Sequence, residues 1–198
     1  MEFRMLPEKT RSFRRFVEEE RIPDGRLREI VNAARLAPSG ANLQLLRFSF
    51  LNGRKACSEV FPHVKWAGYL RDWDGPAPGE RPAAWIVIHS PVERKPFTGI
   101  DIGIAAAYMV LAARDMGYGS CMVLSFDREK VSSLLGVPGY EVGLLIALGV
   151  PAEEAVVEQY EGSVEYWRSE DGRHHVPKLS LDSLIVGTGY APLDREEM

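Results

Sequence analysis

The run DIGIAAAYMVLAARDM, residues 101–116, is rich in alanine and isoleucine and apolar on most of its faces. A helix without a polar face belongs in the core or at a subunit interface. Gly117 is placed to cap it in the left-handed conformation. Around it lie continuous apolar stretches, AWIVIH at 84–89 and GLLIALGV at 143–150, which read as buried strands. Cys121–Leu124 gives a further short strand. Upstream, Asp24 is an N-cap, and Leu27, Ile30, Val31, Ala34 and Ala37 fall on one helical face. Pro38 ends that helix, Ser39–Asn42 is a turn, and Arg47–Leu51 alternates as a strand. Asp127 caps a short helix through Leu135. The stretch from Asp72 to Pro82 is too rich in proline and glycine for a regular element. Strands and helices mix without a strict βαβ rhythm. The expected fold is α+β, a layered mixed sheet flanked by helices.

The sequence has 198 residues, enough for one sizeable core, so a single domain over 1–198 is expected. Hydrophobic residues at 45% and charged residues at 26% are ordinary for a globular chain. The net charge of −4 argues against nucleic acid as a partner, which calls for a basic balance. No apolar stretch is long enough to span a membrane, and the N-terminus lacks the apolar core of a secretory signal. Cys57 and Cys121 form no C-x-x-C pair, which fits a reducing cytoplasm. From Val156 onward the chain is polar, turning apolar and β-like at Leu184-Ile185-Val186. A tail that cannot bury itself locally packs on a partner subunit.

Several chemistries lack their signatures. There is no G-x-G-x-x-G after a strand, no phosphate-binding G-x-x-x-x-G-K-[ST] and no G-x-S-x-G. Adjacent His174 and His175 point apart and read as a solvated polar turn, so no metal site is expected. His63 and His89 read as structural.

Three constellations remain. In RSFRRF, residues 11–16, Thr10 to Glu20 reads as a helix start. That places Arg11 and Arg14 on one face beside Ser12, a pattern suited to a phosphomonoester. In APSGANLQ, residues 37–44, small residues let a planar ligand approach the backbone, and Ser39, Asn42 and Gln44 offer polar groups to a heterocycle edge. Late in the chain, Lys178 supplies a cation in PKLSL.

Taken together and in this order, these motifs resemble those of the nitroreductase family of flavoproteins. RSFRRF resembles the family's R-S-x-R-x-F, and APSGANLQ its A-P-S-x-x-N-x-Q. The 101–121 helix and glycine turn, the IALGVP strand at 146–151 and the H-H-V-P-K tail at 174–178 resemble further family segments. The likeness runs from about residue 9 to 186.

The resemblance implies FMN as cofactor. Arg11 and Arg14 would bind its phosphate and polar side, with Ser12 adding a contact and Lys178 closing the phosphate site. Pro38, Ser39 and Gly40 would approach the flavin across a homodimer interface formed with exchanged tails, with Asn42 and Gln44 in the same loop. Leu124 and Ser125 would present backbone N–H groups near the reactive edge. Trp66, Tyr69 and Trp73 are candidates for a stacking wall, with plain packing as the alternative. The implied activity is hydride transfer from NADH or NADPH, through FMN, to a small electron-poor acceptor such as a nitroaromatic or quinone. The scheme is ping-pong and needs no catalytic side chain. Dehalogenation, oxidase or flavin-directed chemistry on the same fold, a non-catalytic flavin binder and a cofactor-free interaction protein are the alternatives. Four positions depart from the family pattern: Leu45 and Leu46 replace the Pro-Trp that follows the glutamine, Thr10 replaces an arginine, and Ser125 replaces a glycine.

Overall fold

Two antiparallel strands organise the first part of the molecule. The structure, a computed structural model, describes residues 2–188 and 191–192. It divides into two compact units at Glu153/Glu154. In the first unit the elements run α1 (Leu6–Lys9), α2 (Asp24–Leu36), β1 (Arg47–Asn52), α3 (Arg54–Val60), β2 (Ala84–Pro91), α4 (Thr98–Asp115), β3 (Gly119–Val123), α5 (Arg128–Leu135) and β4 (Tyr140–Gly149). The sheet order is β1-β2-β4-β3, and every pairing is antiparallel.

Register explains why β2 and β4 read as unbroken apolar runs. Ala84, Ile86 and Ile88 face Leu148, Ile146 and Leu144 across the ladder. With α2 and α4 they form one buried cluster that includes Leu27, Ile30, Ala106 and Met109. The intervening positions, Trp85 and Val87 opposite Ala147 and Leu145, are equally buried. Both faces of the central strands are therefore covered, although antiparallel sheets commonly leave one face wet. Helix α4 begins three residues before the expected Asp101. It ends as expected, with Gly117 and Tyr118 donating to Arg114 and Ala113 carbonyls. Asp127 caps α5 by accepting from the Lys130 amide.

The segment Thr10–Glu20 is not a helix. It is extended, with Ser12 bridged parallel to Ser120 and Phe16 bridged antiparallel to Pro151. The cause is a pair of glycines. Gly119 and Gly149 stand opposite each other in the β3–β4 ladder. A Cβ on Gly119 would meet the Phe13 ring at 2.9 Å, and one on Gly149 would meet Phe16 at 2.8 Å. Phe13 and Phe16 thus lie directly on bare backbone. The burial gained there outweighs whatever local preference the segment has for helix.

The second unit has strands β5 (Ala155–Gln159), β6 (Trp167–Arg168) and β7 (His174–Lys178), followed by α6 (Leu181–Leu184), β8 (Gly187–Thr188) and β9 (Ala191–Pro192). Here strand directions mix, since β5 pairs parallel with β7 and β6 antiparallel. His174 and His175 are not a solvated turn. Both are buried on β7. His175 Nδ1 lies 2.6 Å from a Glu158 oxygen and Nε2 3.0 Å from Ser169 Oγ, while its ring stacks on Trp167. The apolar Leu184–Val186 stretch is exposed and does not form a strand.

Phe16→Ala strips the ring from Gly149 and should lower the unfolding free energy by about 3–5 kcal/mol in urea titration. His89, buried on β2 with Ser49 Oγ 2.7 Å away, has its pKa lowered from 6.5 by that burial. The unfolded chain takes up this proton first, so the contribution is complete above about pH 6.5 and declines as pH falls. His89→Gln should lose less stability than the parent between pH 7 and pH 5.

Candidate functional site

The 37–44 segment leaves α2, turns sharply and enters β1. Its turn is a single 3-10 helical turn, Gly40–Asn42. Ala41, Asn42 and Gln44 have φ of 48°, 53° and 48°. Non-glycine residues in the left-handed region each cost on the order of 1–2 kcal/mol and persist where surroundings over-determine them. Part of that restraint is local: the Asn42 amide donates to the Ser39 carbonyl at 3.0 Å, and the Gln44 amide reaches Ser39 Oγ at 3.4 Å. Part comes from α4. The Gly40 amide donates to Asp101 Oδ1 at 2.8 Å, and a Cβ on Gly40 would sit 2.5 Å from Phe97. Behind the loop is a cavity of about 290 Å³, whose lining includes Pro38, Ser39, Gln44, Phe48 and Asp101.

A second group lies along β3. The Phe13 amide donates to the Ser120 carbonyl, fixing Ser12, Phe13 and Arg14 beside the strand. Glu153 clamps the segment from the other side, accepting from the Arg14 amide at 2.5 Å and the Arg15 amide at 3.1 Å. Arg14 is buried, and one guanidinium nitrogen donates to the Ser12 carbonyl at 3.3 Å. Arg15 is engaged with Glu80 through two contacts, which removes it from ligand duty. Arg11 Nη2 donates to the Pro7 carbonyl, while its Nε is buried with no hydrogen-bond partner among the described residues. Burial lowers the Arg11 pKa, and Glu8 opposes that only partly. An orphaned donor on an incompletely compensated cation suits an anion such as a phosphate. Arg11 and Arg14 come together through strand pairing rather than by sharing a helical face.

Between Ser12 and Arg14 lies Cys121. Burial raises its thiol pKa, against the opposing pull of Arg14 and a hydrogen bond with Ser12. Cys57, on α3, is likewise pushed up to about 12 by burial.

Leu124 and Ser125 follow the end of β3 and are exposed; the Ser125 carbonyl accepts from the Lys65 amide. Trp66 is buried, its ring 5.9 Å from both Phe61 and Trp85, and Gly75 packs against it. Tyr69 is about half exposed and Trp73 intermediate. Lys178, in the second unit, is exposed at the end of β7. Among the described residues, no cluster of three or more His, Cys, Asp or Glu is arranged to hold a metal, and no helix is long and apolar enough to cross a membrane.

Asp101, Phe97 and Glu153 were not singled out from the sequence. Asp101 opens the apolar 101–116 run, where an acid is ordinary at a helix N-terminus. Nothing local distinguishes Glu153 from its neighbour Glu154.

This architecture and these motifs meet in a known group of proteins. The profile of the Nitroreductase family matches residues 8–150, and the chain belongs to that family. It is 31% identical over 175 residues to an NADH dehydrogenase of Thermus thermophilus, covering 74% of this chain and 85% of that protein. A nitroreductase family protein from Clostridium novyi NT superposes with a TM-score of 0.62 at 25% identity, covering 76% of this chain and 87% of the other. A protein from Exiguobacterium sibiricum 255-15, solved in complex with FMN, shares the fold with a TM-score of 0.65 at 16% identity, covering 77% of this chain and 89% of the other.

Because Glu153 meets two consecutive amides, Glu153→Ala should cost about 1–3 kcal/mol. Glu153→Gln, which keeps an accepting oxygen, should recover most of it in parallel denaturation curves.

Proposed function

We propose that this protein is an FMN-dependent oxidoreductase that carries hydride from NADH or NADPH to a small electron-poor acceptor, a nitroaromatic or quinone, by a ping-pong route. The observation that supports it best is the presence together of an arginine segment, anchored to β3 with Arg14 buried and suited to a phosphate, and a strained, small-residue loop over a cavity. When bound, FMN supplies the two-electron chemistry. The protein's residues bind and orient it. Arg11 and Arg14, with Ser12, would hold the phosphate. Pro38, Ser39 and Gly40 offer backbone to the ring, with Asn42 and Gln44 alongside. Leu124 and Ser125 present N–H groups near the ring's reacting edge, where preorganised donors stabilise developing negative charge. Tyr69 and Trp73 remain candidates for the acceptor wall, whereas the buried setting of Trp66 favours a supporting role beneath it.

The two groups of residues belong to opposite edges of the β1-β2-β4-β3 sheet. Strand spacing alone separates those edges by about 14 Å. A homodimer that brings one copy's loop to the other's arginines would complete the site. Leu36, Leu43, Phe97 and Ile100, exposed by 64, 49, 46 and 60%, surround the loop and supply an apolar face for a second copy. The outer edge of β1 has no described partner strand and offers a place for the partner's tail. On this reading both compact units serve one functional domain, and the free cysteines fit the cytoplasm.

The purified protein should show flavin absorbance that bleaches when NADH or NADPH is added without oxygen. Flavin that stays oxidised would favour a storage role, and a colourless protein that takes up no added FMN would overturn the assignment. Arg14→Glu should abolish flavin retention; a yellow variant with full stoichiometry would remove Arg14 from the phosphate site.

A further inference from the structure

The most costly side chain around the loop is one the proposed chemistry does not use. Asp101 is buried within the first turn of α4, at 3% exposure. Its Oδ1 accepts the Gly40 amide, and its Oδ2 is buried with no hydrogen-bond partner among the described residues. A buried carboxylate with one unsatisfied oxygen is a poor choice for stability alone, because desolvation works against it. What it touches explains its presence. Gly40 is immediately followed by Ala41 and Asn42, both held at positive φ, with Gln44 in the same conformation two residues on. The bonds among Ser39, Gly40, Asn42, Leu43 and Gln44 lie within the loop and can move with it. The Asp101 bond ties the loop to a core helix. Phe97, one turn earlier on the same side, closes over Gly40 so tightly that no Cβ fits. One residue therefore fixes the position of the loop, and another fixes how near it comes.

We infer that Asp101 is a positioning residue: by gripping the Gly40 amide it holds Pro38, Ser39 and Asn42 in the one strained shape that presents them to the cofactor and acceptor. This rests on the flavin reading of the loop. The functional element is the accepting oxygen rather than the negative charge, so a carboxamide at this position substitutes for the acid and a methyl group does not. Strain in the loop then relaxes when the grip is lost, and residues 38–44 sample shapes that bind poorly.

The test uses the full-length protein, with FMN affinity read by flavin fluorescence titration, kcat and KM with a naphthoquinone acceptor, and amide hydrogen exchange of residues 38–44. Asp101→Ala should weaken FMN binding roughly 10–100-fold, the range set by leaving the Gly40 amide without its acceptor. It should raise KM more than it lowers kcat at saturating FMN, and speed exchange at the Gly40 amide. Asp101→Asn should return most of the affinity and the protection. Gly40→Ala tests the same positioning without touching Asp101, and answers if Asp101→Ala does not fold. Its methyl group meets Phe97, so it should weaken FMN binding, and adding Phe97→Ala should restore it. Parent-like affinity, KM and exchange in folded Asp101→Ala would overturn the inference, as would an Asp101→Asn variant that behaves like the alanine variant. An alanine variant that fails to fold alongside a Gly40→Ala variant with parent-like affinity would overturn it too. Failure of the flavin reading appears separately, as a parent protein that takes up no FMN; the exchange measurement still reports whether Asp101 holds the loop.

Discussion

The ladder between β2 and β4, buried on both faces, is the constraint on which the rest of the first unit depends. One face packs on α2 and α4, so α4 is fixed relative to the sheet and Asp101 is fixed relative to the chain entering β1. The other face holds Trp85, whose ring backs Trp66 and the loop that carries it. The end of β4 also supplies Gly149, which with Gly119 of β3 makes the flat surface where Phe13 and Phe16 lie. The 11–16 and 37–44 segments are each tied through these contacts to the ladder or to the helix packed on it. A core with side chains on both sides has few ways to slip, because a one-residue shift in register would exchange the two packed faces.

Much of this was legible in the sequence, for reasons that are local. The runs at Ala84 and Gly143, the proline that ends α2, the cap at Asp127 and the Gly117 terminus are each specified by neighbouring residues, and each appears where expected. The N-terminal motif is extended where the sequence predicts a helix start. Arginines three apart satisfy helical periodicity, yet what decides the conformation is a pair of glycines more than 100 positions away in the chain. His174 and His175 depart from the expected solvated turn for the same reason. Their burial comes from Glu158, Ser169 and Trp167, brought in by strand pairing that no short window reveals. The family signature survives such errors because it records which residues recur, not which conformation each adopts.

The candidate site has a common design in its charges. Arg14, Asp101 and Glu153 are each set against backbone: Arg14 donates to a carbonyl, Asp101 accepts one amide, and Glu153 accepts two. Charge-assisted bonds to backbone are strong and directional, so they suit segments that have no regular element to hold them. Both segments that the flavin reading relies on, 11–16 and 37–44, are of that kind. They lie outside named helices and strands except for one short turn.

This arrangement also explains how a loop can be strained and precise at once. Left-handed backbone at three non-glycine positions would relax if the loop depended only on its own hydrogen bonds. The carboxylate from α4 transfers the rigidity of the core to one amide, and the ring of Phe97 leaves that residue a single permitted size. A loop held at one point by a core helix and free elsewhere keeps its backbone exposed for a planar ligand, while its approach distance is set by residues that the ligand never needs to touch. Precision in the site is thereby separated from contact with the ligand.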